Sequence, residues 1–269
     1  MTKKGRICAY IFLTIVSILS VFPLFWMVIS ATNESVDVLR GKLTPGGYLI
    51  ENIRSLIASQ NLGRALFNSF RNAILLTLLS VLICSIAGYG FEIYHSKAKD
   101  MVMSVLLLAM MVPFIAIMIP LFKMFSAWKM INTLPALLLP SLSTPFLILM
   151  FRQAARSFPE EVIEAARLDG VSEIGIYFRM FIPIMKATFG AAITVSFMGA
   201  WNSYLWPLIV FQKNETITMP LLVSNLMGVY GTDYGQLMVG VLICTLPTAI
   251  IFLCLQRSFA EGITGSVKG

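Results

Sequence analysis

The residues whose types and spacing offer chemistry are concentrated in one stretch, EEVIEAARLDGVSEIGIYFRMFIPIMKA, Glu160 to Ala187. In an otherwise apolar chain, Glu160, Glu161, Glu164 and Arg167 form a polar side of a helical repeat, and Val162, Ile163, Ala165 and Ala166 an apolar one. Ser157, followed three residues on by Glu160, has the form of a capping box with Pro159 in the first turn, so a helix is expected to begin there. Gly170 stands just past its end, where a left-handed backbone is needed. Ser172 can cap a second helix, running through Ile176, Tyr177, Phe178 and Phe181 until Pro183 opens the next apolar run. Two short amphipathic helices joined at a glycine corner offer docking rather than bond-making. Small Ala165 and Ala166 admit a close approach, and the charges beside them orient whatever approaches. Such a knob suits either a cleft on a cytoplasmic protein or the headgroup layer of a membrane, and the spacing alone does not choose between them.

Groupings that make or break bonds are missing. The sequence has no phosphate-cradling G-x-x-x-x-G-K-[ST] loop, no G-x-S-x-G elbow, no paired-carboxylate site and no His/Cys cluster. His95, the single histidine, falls in the short polar segment EIYHSKAKD and reads as solvated surface. Cys8, Cys84, Cys244 and Cys254 lie in or beside apolar runs without a CxxC pair and read as small buried hydrophobes. The chain is therefore expected to be no enzyme and to hold no metal or cofactor itself.

The elements that must carry this knob follow from composition. Hydrophobic residues make up 58% of the 269 and charged ones only 12%, against about 25% charged in an ordinary soluble domain. With a mean hydropathy of +0.84, the expectation is an all-α polytopic membrane protein forming a single transmembrane domain over residues 1–269. Candidate spans cover residues 7–30, 72–91, 101–122, 133–151, 184–210 and 237–256, leaving 152–183 as a loop. Each is near the ~20 residues needed to cross the hydrocarbon layer. The first run is longer than the about 7–15 apolar residues of a cleaved signal and reads as an uncleaved span. Pro113, Pro120, Pro135, Pro140, Pro145, Pro207 and Pro247 mark kinks, which neighbouring helices or cavity water make tolerable.

Six spans put both termini on one side. That side carries twelve of the twenty Lys and Arg, and five of the other eight lie in the one long segment 31–71. By the positive-inside rule the termini and the 152–183 loop are cytoplasmic. The net charge of +7 is then loop bias, not a nucleic-acid surface. Segments 31–71 and 211–236 face outward, either as plain connectors or as docking sites for soluble partners. The apolar interiors hold no Asp, Glu, Lys, Arg or His. Proton-coupled carriers usually need such groups. The chain reads as a membrane passage with no energy source of its own.

EAARLDG followed by RMFIP resembles the "EAA" signature of ABC importer permeases, E-A-A-x3-G-x9-I-x-L-P. Glu164, Ala165, Ala166, Gly170 and Pro183 match it, and Met180 and Ile182 replace Ile and Leu with other apolar side chains. WNSYLWPLI, Trp201 to Ile209, resembles the W-N-E/Q-[FY]-L-W-P motif of carbohydrate permeases, with Ser203 departing from the usual acid or amide. The tail, Gln256 to Gly269, is similar to that of the maltose-type branch. The resemblance implies a pore made with a second homologous permease subunit. It implies two ATPase subunits that spend ATP at the cytoplasmic face and an extracytoplasmic sugar-binding protein that delivers the solute. It places the chain in the cell membrane, surrounded by lipid.

In that frame the 152–183 segment is the coupling loop. Glu164 makes a charge-assisted contact with the ATPase, Ala165 and Ala166 permit close packing, and Gly170 sets the corner. Asp169 caps the second helix, Pro183 closes the motif, and the tail Gly265–Gly269 either reaches the ATPase or frays. Trp201, Asn202, Tyr204 and Trp206 offer aromatic faces and an amide to a sugar, or else form an interfacial aromatic belt. Thr77, Ser80, Tyr89, Ser141, Ser143 and Thr194 are further path candidates. Two other readings stay open: a permease of the same type for another solute such as glycerol phosphate, and a stand-alone channel or secondary carrier.

Overall fold

The computed structural model describes residues 3–228 and 231–265, and all regular structure among them is helical. The first helices are α1 (Lys3–Ala31), α2 (Ser35–Leu39), α3 (Leu49–Ser59), α4 (Leu62–Ile93), α5 (Lys97–Ala109), α6 (Phe114–Ala127) and α7 (Leu134–Leu138). They are followed by α8 (Pro145–Arg156), α9 (Glu160–Leu168), α10 (Glu173–Ile176), α11 (Ile182–Ile184), α12 (Lys186–Trp201), α13 (Leu205–Val210), α14 (Met219–Asn225) and α15 (Tyr234–Gly265). The chain divides into two compact units, one of Met1–Ala65 with Met219–Pro247 and one of Leu66–Thr218 with Thr248–Gly269.

Among the described residues, Gly5–Ala31, Leu62–Ile93 and Tyr234–Arg257 are each long and apolar enough to cross a bilayer. Three bent pairs meet the same test, which brings the number to six if each pair is one span. The expected span 101–122 is two helices meeting at 99°. α5 winds down in tight turns at Met110, Met111 and Val112, and Pro113 takes an extended conformation that starts α6. The residue before a proline resists helix, which fixes the break there. Span 133–151 is likewise bent, by 49°, and α8 continues to Arg156, so the expected loop from 152 begins as helix. α4 begins ten residues earlier than span 72–91, and span 184–210 is interrupted after Trp201 and resumes as the separate helix α13.

In the first unit a polar knot orders the segment after α1. Asn33 donates from Nδ2 to the carbonyls of Ile29 and Thr44, both at 3.0 Å. Asn52 donates to Ala31 (3.0 Å) and Asn33 (2.9 Å). Gly46 is required because a Cβ there would lie 2.5 Å from Asn33 Oδ1. In the stretch LTPGGYLIENIRSL, residues 43–56, the turn with Gly46 leads directly into α3.

In the second unit α4 and α8 touch backbone to backbone. A Cβ on Gly88 would fall 2.7 Å from both the Arg152 nitrogen and the Ile148 carbonyl oxygen. Val81, Cys84, Met103, Leu147, Ile148, Phe151 and Ala192 form the core around this crossing. A second core, Tyr89, Ala155, Phe158, Ile163, Ala166, Ile176, Tyr177 and Phe181, lies beneath α9 and α10. Phe181 is 0% exposed, and truncating such a ring typically costs about 3–5 kcal/mol.

Candidate functional site

α9 does not start on a capping box. Ser157 closes α8 instead, its hydroxyl donating to the Ala154 carbonyl at 2.8 Å, and Pro159 occupies the N-cap position of α9 with no side-chain cap. Glu160 and Glu161 in the first turn favour the helix dipole. Ile163 and Ala166, three apart, turn inward and are buried. Glu164 and Ala165 face out. The two alanines of the motif thus part company: Ala166 is 2% exposed in the core, and Ala165 lies on the free surface. Leu168, 89% exposed, adds an apolar tip.

The helix ends where Gly170 predicts. Its φ is +75°, its N–H donates to Arg167 O at 3.1 Å, and the Val171 N–H donates to Ala166 O at 2.9 Å. These are the two hydrogen bonds of a Schellman turn, with Val171 packed on the same core as Ala166. Asp169 is the C-cap of α9 rather than the cap of the second helix. Ser172 takes that role, its Oγ accepting from Gly175 N at 3.2 Å.

After α10 the chain widens into a π-helical turn, Tyr177–Phe181, in which Ile182 N bonds to Tyr177 O. Pro183 is the physical reason: it has no N–H to give the turn below and its ring crowds that carbonyl. Pro183 does not open the next span. It lies in α11, and the 83° corner comes at Met185, after which α12 starts.

Two polar clusters escaped the sequence reading. Tyr94 donates its phenolic hydrogen to Glu173 Oε2 (2.6 Å), and Arg167 reaches the same carboxylate through Nε (2.7 Å) and Nη2 (3.2 Å). Arg167 holds the Glu173 carboxyl below its usual range, with the Tyr94 hydrogen bond adding to the effect. Nearby, Glu92 accepts from Arg152 (3.0 Å) and Arg156 (3.1 Å), and Asp100 accepts from Arg152 (2.6 Å). His95 Nε2 sits 2.9 Å from Asp100 Oδ2. Arg152 and Arg156, four apart on one helical face, were the available signal. Glu164 lines a cleft of about 360 Å³ with Glu92, Arg156, Glu160 and Arg167.

The path candidates separate. Trp201 is 1% exposed, its ring 4.7 Å from Phe70 and 5.9 Å from Phe197. Trp206 is also buried and donates from Nε1 to Ala136 O at 2.9 Å. Asn202 is the exposed C-cap of α12, and Tyr204 the half-buried residue before α13. A groove of about 300 Å³ runs beside them, lined by Leu76, Ser80, Ser141, Thr144, Ser196 and Ser203 among others and by no charged side chain. A smaller adjoining pocket holds the buried Asn72 Nδ2 and Thr218 Oγ1, which find no partner among the described residues. Tyr89 and Thr194 are buried away from both pockets. The end of the tail, 266–269, lies outside the described residues.

Comparisons with known proteins agree with this architecture. The chain is 44% identical to the lactose transport system permease protein LacG of Rhizobium radiobacter over 97% of this chain and 96% of that one. It is 35% identical to the arabinooligosaccharides transport system permease protein AraQ of Bacillus subtilis (98% and 96% covered). It is 28% identical to the sn-glycerol-3-phosphate transport system permease protein UgpE of Pectobacterium atrosepticum (94% of each). Among solved structures, a chain of a bacterial ABC transporter involved in the import of the acidic polysaccharide alginate shares the fold with a TM-score of 0.83. That match is at 17% identity and covers 96% of this chain and 98% of that one. Residues 80–265 match the family described as "Binding-protein-dependent transport system inner membrane component". This chain, a multi-pass membrane protein and a transport component rather than an enzyme, belongs to that family of ABC importer permeases.

Proposed function

We propose that this chain is half of the pore of an ATP-driven importer for a neutral sugar or oligosaccharide. It works as one six-span transport domain with both termini in the cytoplasm. A second homologous permease completes the pore, two ATPase subunits consume ATP below it, and an extracytoplasmic sugar-binding protein loads it. The observation that carries the reading is α9, a short helix on a packed pedestal that turns Glu164, Ala165 and Leu168 outward beside a cleft lined by both Glu and Arg side chains. A helix that merely floated in headgroups would turn its apolar face to lipid, whereas α9 spends that face on Tyr89, Phe158 and Phe181. Glu164 and Ala165 then meet the ATPase, Ala166 and Gly170 fix the pedestal and corner, and Asp169 lies exposed at the end of α9.

The groove with Ser80, Ser141, Ser196 and Ser203 is the proposed solute wall, with Trp201 and Trp206 lining the pocket that adjoins it and Asn202 and Tyr204 flanking Ser203 in the chain. Hydroxyl groups without charges suit a polyhydroxylated neutral solute. A glycerol phosphate, the solute named for one relative, would call for Arg or Lys in the lining.

Proteoliposomes test this. The chain alone should pass neither lactose nor sn-glycerol 3-phosphate, and the assembled complex should accumulate lactose or an arabinooligosaccharide only with ATP. Solute flux through the isolated chain would overturn the partner-driven reading. Preference for the phosphate would overturn the neutral-sugar reading alone.

A further inference from the structure

We propose that α4 is the lever that carries displacement of the α9–α10 pair into the solute groove, with Tyr94 and Glu173 as the positioning latch. This rests on the reading of α9 as an ATPase-docking element. Three observations support it, and none rests on a matched residue of the sequence motif. Tyr94, one residue beyond α4, binds Glu173 at the start of α10, and Glu173 in turn binds Arg167 near the end of α9. The latch therefore closes across the Gly170 corner and ties both short helices to one end of α4. Two turns deeper, the Ser85 and Tyr177 hydroxyls are 2.6 Å apart and buried. Between them the Tyr89 ring meets Tyr177 at 5.5 Å and Phe181 at 4.9 Å. Residues 85 and 89 are four apart and share one helical face, so the cytoplasmic end of α4 lies along α10 and the π turn. Further along the same helix, Leu76 and Ser80 line the groove.

A rigid helix gripped at one end and lining a passage at the other transmits a shift rather than absorbing it. The two grips differ in kind. The Ser85–Tyr177 contact is buried, whereas the Glu173 side chain is 43% exposed. The inner contact is the fulcrum, and the outer latch fixes the angle at which a push on α9 reaches α4.

Hydrogen exchange on the assembled permease–ATPase complex, with and without ATP plus vanadate, tests the lever without needing to know the solute. In the unsubstituted complex, trapping should change exchange in both 160–176 and 86–95. With Tyr94→Phe the change at 160–176 should persist, and that at 86–95 should shrink roughly 2- to 12-fold, the bias supplied by one ordinary hydrogen bond. Glu173→Gln, which keeps an acceptor for Tyr94 but loses the ion pair, should fall between. A purely structural role would raise resting exchange and leave the nucleotide difference intact, and that outcome overturns the proposal. So does a trapped complex in which 160–176 responds and 86–95 does not. If 160–176 itself ignores nucleotide, the docking reading fails first and the lever with it.

Discussion

The glycine corner allows a quantitative test of what holds the docking element. Gly170 has φ +75°, yet a Cβ built on it would meet nothing within 4 Å. Replacement is therefore penalised by backbone strain and not by collision. An L-residue in the left-handed region pays about 1–2 kcal/mol, and Asn less because its side chain bonds locally. The strain falls on the two hydrogen bonds of the turn, Gly170 N to Arg167 O and Val171 N to Ala166 O. Opening of that turn should become roughly 5- to 30-fold more frequent in Gly170→Ala. Gly170→Leu should match Ala in the subunit alone, since the position is exposed and the Cβ common to both meets nothing, while Gly170→Asn recovers part of the loss. Amide exchange of residue 171 in the purified subunit reads this directly. In the assembled transporter both Gly170→Ala and Gly170→Leu should lower solute moved per ATP. If Leu opened the turn far more than Ala, or Asn did no better than Ala, backbone strain would not be the governing effect and the reasoning would fail.

Two further predictions concern the scaffold. Gly88→Ala drives a methyl into the α8 backbone and should lower stability by about 1–3 kcal/mol, whereas Gly90→Ala, with open space around its Cβ, should gain up to about 1 kcal/mol of helix propensity. Thermal unfolding in detergent should move in opposite directions for the two. Asn68 holds residues 215 and 217 through Nδ2, at 2.9 and 2.8 Å. Asn68→Ala or Asn68→Asp should therefore loosen 213–218 by about 1–3 kcal/mol, seen as faster proteolysis there, and resistance unchanged from the unsubstituted chain in both variants would refute the assignment.

What could be read from sequence was what local chemistry decides. Gly170 was legible because only a left-handed residue ends a helix in that way, and Ser172 because a hydroxyl three residues before a free N–H caps it. The Ser157 box was not, because the same hydroxyl had a competing carbonyl at Ala154 in the helix before it. Ala165 and Ala166 are chemically alike and adjacent, so only the packed core beneath α9 separates the inward from the outward one. The 99° corner at Pro113 was marked by its proline but not its size, which depends on how three turns before it tighten. The Glu92–Arg152–Asp100 cluster joins residues 60 and 52 positions apart, so the spacing of Arg152 and Arg156 marked a basic face without naming its acidic partners. Burial of the Trp201 and Trp206 rings was equally hidden, since a buried aromatic ring and an exposed one have the same spacing.

The widened turn at Tyr177–Phe181 bears on any attempt to interchange these segments between transporters. A π turn accommodates one residue more than an α turn, and each residue of an α-helix advances the side chains by roughly 100°. Deleting a single position there, whatever its identity, would rotate Phe181 out of its socket and misaim everything up to Met185. Chimeras should therefore tolerate exchanged side chains between Gly170 and Pro183 far better than an altered residue count. This predicts that the separation of those two residues constrains grafting more tightly than the letters between them.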